Sequence, residues 1–203
     1  MKILYQGSPG AYSHLAASEL YPDAEIIACK TFDECFTKAE EDKTLRIIIP
    51  ESNRITGNIG IEYLIFKHRL NIYAEHFHRV EHNLLTLPGI KLKEIKNVYS
   101  HAQALSQCSE FIKKNNINEN VRADTAGSAA LVAENKNKND SAIASKLSAE
   151  IYKLDIVASN IENEKGNVTR FLIMGKTIFQ PELGKGKYIT SFLFKLKSKP
   201  AAL

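Results

Sequence analysis

The apolar positions of this chain fall into two kinds of run. Short β-branched stretches predict strands at 2–5, 46–49, 71–80, 82–87, 97–99, 121–123, 141–143, 168–174 and 188–196. Between them, apolar residues recur at helical spacing. They predict helices at 11–20, 32–41, 59–66, 102–114, 128–134 and 146–152. This alternation predicts an α/β protein with a largely parallel sheet or sheets. Asn/Lys-rich stretches at 115–120 and 135–140 read as surface loops, and 181–187, with its Pro and Gly residues, reads as a linker.

One strand is interrupted. From Val168 to Gly175 the residues suit a core, except Thr169 and Arg170, which put a hydroxyl and a guanidinium at the strand's mouth. Four segments, 7–13, 49–60, 99–105 and 124–130, share one design: strand end, small or hydroxyl residues, helix start. Unpaired N–H groups and the dipole at a helix start attract carboxylates and phosphates, each end contributing about 0.3–1 kcal/mol. Ordinary N-capping is the alternative at any one junction. Ser100 and Gln107 stand two helical turns apart, so both can point the same way.

Composition narrows the chemistry. The chain has 203 residues, 44% hydrophobic and 25% charged, as in ordinary globular proteins. A net charge of +4 suits a small anionic ligand, and its spread along the chain argues against a nucleic-acid arm. Cys29, Cys35 and Cys108 lack metal-ligand spacing and read as reduced thiols of a cytoplasmic protein. No apolar run is long enough for a bilayer, and the first residues read as strand and turn rather than signal peptide. The phosphate-binding and dinucleotide-binding glycine motifs are absent, as are HExxH and GxSxG. His76 and His78 share one strand face, a spacing that permits metal binding. No third ligand is evident, and edge or surface histidines are the alternative.

Six collinear segments then stop being generic. Asn167 to Phe171 resembles the NxTRF signature of prephenate dehydratases, and Ser100 to Cys108 resembles their SHPQALxQC segment, with Ala102 in place of Pro. Tyr5 to Ser13, His82 to Leu85, Asp124 to Ala130 and the stretch from Ser141 to Leu154 are similar to further family segments. The family's PIENSxxGxV element is altered between Pro50 and Gly57. Asn53 falls on the motif's Asn, while Ser52 and Arg54 replace its Glu and Ser, unless Glu51 and Ser52 supply them through a shifted loop. The segment 188–203 resembles the opening of an ACT regulatory domain, breaking off at Leu203.

The resemblance implies conversion of prephenate to phenylpyruvate, with loss of CO2 and the ring hydroxyl, without cofactor or metal. Arogenate as substrate, or a non-catalytic small-anion binder on the same fold, are the alternatives. It implies a fold resembling type II periplasmic binding proteins, with two lobes and a cleft. The first lobe takes 1–74 and 161–180, the second 75–160, and the chain crosses near 73–75 and 160–162. The resemblance also implies a homo-oligomer, dimer or tetramer, and no nucleic-acid or membrane partner is expected. Thr169 is expected to hydrogen-bond the leaving oxygen, with Ser100, Asn53 and Gln107 orienting substrate. Gly10, Ala11, Tyr12, Ser13, Thr125, Ala126 and Gly127 are expected to offer N–H groups to carboxylates. Arg170 either holds a carboxylate or braces the site through an ion pair, and Phe171 packs on the ring or the core.

Overall fold

Strands with apolar residues on both faces need cover on both sides, and this chain supplies it twice. The structure, a computed structural model, describes residues 1–178 together with 180, 184 and 188–190. The first lobe contains β1 (Lys2–Gln6), α1 (Tyr12–Leu20), β2 (Glu25–Cys29), α2 (Phe32–Glu41), β3 (Leu45–Asn53), β4 (Gly57–Asn58), α3 (Glu62–Lys67) and β5 (Asn71–Arg79). The second contains β6 (Asn83–Thr86), β7 (Asn97–His101), α4 (Ala102–Gln107), α5 (Ser109–Lys114), β8 (Asn118–Arg122), α6 (Thr125–Asn135), β9 (Asp140–Ala144), α7 (Lys146–Tyr152) and β10 (Asp155–Ala158). The chain then returns to the first sheet as β11 (Val168–Gly175).

The first sheet has the order β2-β1-β3-β11-β5, with β4 paired to β3; the second has the order β10-β6-β9-β7-β8. Consecutive isoleucines in β3 show why the strands are buried on both faces. Ile47 and Ile49 pack with Leu4, Phe36 and Leu64, while Ile48 packs with Ile3, Tyr5, Ala16 and Phe171 on the other side. In the second lobe Leu84 and Leu85 divide in the same way.

Several sequence expectations need correction. The sheets are mixed, not largely parallel: β11 runs antiparallel to both β3 and β5, and β6 antiparallel to β9 and β10. The edge strands β2 and β10 are additions, short segments whose half-exposed residues give a weak period. The helix expected at 102–114 is broken at Cys108, whose backbone leaves helical geometry between α4 and α5. The junction at 49–60 is no strand-to-helix turn but an antiparallel hairpin of β3 and β4. The first crossing lies at 80–82 rather than 73–75, because β5 pairs with β11 along its whole length. The linker at 181–187 and the ACT-like segment at 188–203 lie outside the described residues, except 184 and 188–190.

The two crossing segments are bonded to each other. Val80 N–H donates to the Asn167 carbonyl at 2.8 Å, and Ile161 N–H to the His82 carbonyl at 3.1 Å. A second lobe-to-lobe contact is built on the turn before α1. The Gly10 carbonyl accepts from Ser145 Oγ at 2.6 Å and Ser148 Oγ at 3.0 Å, and the Pro9 carbonyl from the Tyr152 hydroxyl at 2.9 Å. Gly10 has φ +91°, and a Cβ there would stand 2.5 Å from Ser148 Oγ. Gly10→Ala is therefore expected to cost about 1–3 kcal/mol from backbone strain and the clash together. Urea unfolding checks this; a midpoint equal to the parent's would show that the turn is free to move off α7.

Candidate active site

Strand pairing sets the first neighbours. Thr169 on β11 lies opposite Asn53 on β3 and opposite His78 on β5. Asn53 Oδ1 accepts from the N–H groups of Ile55 at 3.0 Å and Thr56 at 3.1 Å. That fixes the amide's orientation and turns Nδ2 toward Thr169. Nδ2 donates to Thr169 Oγ1 at 2.9 Å and to Asn167 Oδ1 at 2.7 Å. Among the described residues Thr169 Oγ1 donates to no acceptor, and the residue is only 7% exposed. A buried hydroxyl thus accepts one hydrogen bond and keeps its own proton uncommitted.

The network continues through the crossings. Asn167 Nδ2 donates to Gln107 Oε1 at 3.0 Å, and His82 Nε2 lies 2.8 Å from the same oxygen. Only a donor can face that oxygen, so His82 carries its proton on Nε2 and a lone pair on Nδ1. The Tyr12 hydroxyl lies 2.9 Å from both His82 Nδ1 and the Glu81 carbonyl and shares its one proton between them. Burial holds His82 below the ordinary histidine range and pushes the Tyr12 phenol up. Both are neutral at pH 7, so the chain from Tyr12 to Thr169 consists of neutral groups.

The next residue places its charge on the other side of β11. Arg170 Nε donates to Glu75 Oε2 at 2.8 Å and its Nη1 to Glu51 Oε2 at 3.2 Å. Two of the guanidinium nitrogens are thus each paired with a carboxylate. Ser52 Oγ donates to the same Glu51 oxygen at 2.6 Å, so the altered 50–57 element feeds this cluster.

The remaining expected residues separate. Ser100 is fully buried and donates to the Ile143 carbonyl at 2.7 Å, tying β7 to β9 instead of facing a ligand. Phe171 lies in the first-lobe core. The Gly10 N–H is taken by His14 Nδ1 at 3.0 Å and the Ala11 N–H by the Ser8 carbonyl at 3.0 Å. Asp124 occupies the start of α6 itself, accepting from the Gly127 N–H at 2.6 Å. Only Tyr12 and Ser13 in the first turn of α1, and Thr125 and Ala126 in that of α6, sit where helix geometry leaves N–H groups without intrahelical partners. His82 and Asn167 are the additions to the site. Both stood inside recognised motifs, but only the crossings bring them to Gln107.

These features define a class: a two-lobed α/β protein whose returning strand carries a buried hydroxyl in a neutral hydrogen-bond network. A sequence profile described as prephenate dehydratase matches residues 3–178, and the chain belongs to that family. It is 36% identical over 204 residues to "Arogenate dehydratase 2" of Petunia hybrida, covering 100% of this chain and 52% of that protein. It is 38% identical over 204 residues to "Arogenate dehydratase/prephenate dehydratase 1, chloroplastic" of Arabidopsis thaliana, again covering 100% and 52%. The chain therefore spans about half the length of these curated relatives. In fold it is similar to the prephenate dehydratase of Arthrobacter aurescens solved with L-Phe, with TM-score 0.82, 22% identity, and 90% and 62% of the two chains covered. Among the described residues no helix is long and apolar enough to cross a membrane.

The histidines make a pH prediction. His82, His14 and His78 are all lowered, chiefly by burial. As pH falls, the unfolded chain takes up these protons before the folded one. The stability involved is complete above about pH 6.5 and is lost as pH drops toward the folded-state values. Urea midpoints are expected to fall from about pH 7 to about pH 5, with a shallower fall in His82→Gln. A slope unchanged by that substitution would mean that His82 is not among the groups responsible.

Proposed function

We propose that this chain carries the catalytic part of a prephenate dehydratase, releasing CO2 and water from prephenate to leave phenylpyruvate. The observation that carries this reading is Thr169 Oγ1, buried, held by Asn53 Nδ2 at 2.9 Å, and with its proton uncommitted. In the reaction the bond between ring and carboxylate breaks, and its electron pair enters the ring. The bond from the opposite ring carbon to oxygen then gives way, and that oxygen departs as water once it gains a proton. No net oxidation occurs, and aromatisation drives the step.

In this reading Thr169 donates its hydrogen bond to the departing oxygen. A threonine hydroxyl is a weak acid, so it gains from a partner that strengthens as its oxygen becomes electron-rich. The Asn53 amide is such a partner, already oriented by two backbone donors. One proton from solvent then restores the hydroxyl, so the step takes up one proton overall. The Asn167, Gln107 and His82 chain holds this pair in place without bringing a competing charge beside it. Preorganised neutral dipoles lose little to reorganisation as the bond breaks.

Arogenate is a second reading, favoured by the names of the two plant relatives. It differs from prephenate by an ammonium in place of a side-chain carbonyl, so one assay with both substrates separates them. The purified chain is expected to form phenylpyruvate from prephenate, and Thr169→Ala to lower kcat by about a hundredfold or more, the scale of lost acid–base catalysis. Thr169→Ser should keep more of the activity. Turnover of arogenate alone would select the second reading. Unchanged kcat in Thr169→Ala would move the acid elsewhere, and inactivity of the folded parent on both substrates would remove the catalytic reading.

A further inference from the structure

On the face of the first sheet that carries Thr169, β5 places two histidines under the end of α1. His78 stands opposite Thr169 in the ladder and His76 opposite Phe171, so all four share that face. Glu19, in the last turn of α1, reaches the same spot, with its Oε2 3.1 Å from His78 Nδ1. Glu19, His76 and His78 each offer a ligand atom, and these atoms lie within 4.8 Å of one another.

We propose that Glu19, His76 and His78 form a binding site for a late first-row divalent cation of the zinc type. Two imidazoles and one carboxylate are a donor set suited to such ions rather than to Mg2+ or Ca2+, which prefer all-oxygen shells. Donors on a tetrahedral Zn2+ at about 2.1 Å stand about 3.4 Å apart. Glu19 Oε2 and His78 Nδ1 stand 3.1 Å apart and all three ligand atoms lie within 4.8 Å of one another, so side-chain adjustment completes the set.

A second observation points the same way. His76 Nε2 is buried and has no hydrogen-bond partner, and the neighbouring His78 is only 7% exposed. Buried polar atoms normally find partners, and a cation with its bound water supplies one here. Burial also favours the neutral form of His78, the form that ligates. Room for the remaining ligands exists: the three residues border a cleft of ≈ 280 Å³ that is also lined by Tyr12, Arg79, Glu81 and Lys146.

Lys146 is the competitor. Its Nζ lies 3.4 Å from Glu19 Oε1, reaching across from α7 of the second lobe. A cation on Glu19 takes over a carboxylate that now contacts this ammonium, and the two positive charges repel. Removing the lysine charge should therefore tighten cation binding.

The test is calorimetric titration of the chelator-treated, purified chain with Zn2+ alone, then with Mg2+, alongside absorption spectra with Co2+. Saturable binding of about one Zn2+ is expected, unaffected by excess Mg2+. His76→Ala and Glu19→Gln, at positions open enough to be changed without emptying the core, should each weaken it by at least about tenfold. Lys146→Gln should strengthen it, and His101→Asn in the second lobe should leave it unchanged. The Co2+ spectrum should lack a thiolate charge-transfer band, which separates this site from Cys29, Cys35 and Cys108. No saturable binding to the folded chain overturns the proposal. So does binding that survives both site variants, or a thiolate band. Dehydratase activity does not enter the readout, so its failure and this one are distinguishable.

Discussion

The placement of β11 between β3 and β5 is the constraint on which the rest depends. The strand arrives only after the whole second lobe has been built, and it fills the interior of the first sheet by antiparallel pairing on both sides. Without it, β3 and β5 would be separate edges with unpaired backbone groups. Because it must return to the first sheet, the chain crosses between lobes twice. The two crossings then satisfy part of each other's backbone, through Val80 with Asn167 and His82 with Ile161. Every residue of the Thr169 network is on β11, on β3, on a crossing, or on an element that packs against one.

The same strand separates two kinds of polar group. On one face Thr169 meets amides, a phenol and a neutral imidazole. Arg170, the next residue, points to the other face and is satisfied by Glu51 and Glu75. Alternation along a strand makes this possible with adjacent residues. An unpaired guanidinium beside the hydroxyl would bring a full positive charge into a neutral network. Pairing it with carboxylates behind the strand keeps its charge from dominating the cleft. The β-bulge between Arg170 and Phe171 re-aims the ladder at this point.

The helix starts show how local and tertiary demands compete. Their N–H groups looked available for anions because sequence shows only the strand-to-helix junctions. In the folded chain, Asp124 and His101 cap two of them from within. His14 and Ser8 take the N–H groups of Gly10 and Ala11. The turn before α1 is then used from its carbonyl side, as the acceptor for hydroxyls of the second lobe. A junction that reads as a ligand cradle has become part of the contact between lobes.

The local elements were legible in the sequence wherever apolar period and capping agreed. Helices α1, α2 and α7 fall close to their expected bounds, as do β1, β5 and β9. The short edge strands β2 and β10 were not legible, because their few, mostly half-exposed residues give no clear period. Nor was the antiparallel course of β11, since strand direction is set by the route of the chain and not by its composition. In the site, motif order alone indicated Thr169, Asn53 and Gln107. That His82 and Asn167 complete their network, that Ser100 turns away into the sheet, and that Glu19 meets His76 and His78 was decided by tertiary structure. These contacts join residues distant in sequence, whose closeness depends on how the two sheets are connected and paired. The sequence by itself determined the family motifs and the candidate residues within them; the double crossing decided which of those residues touch.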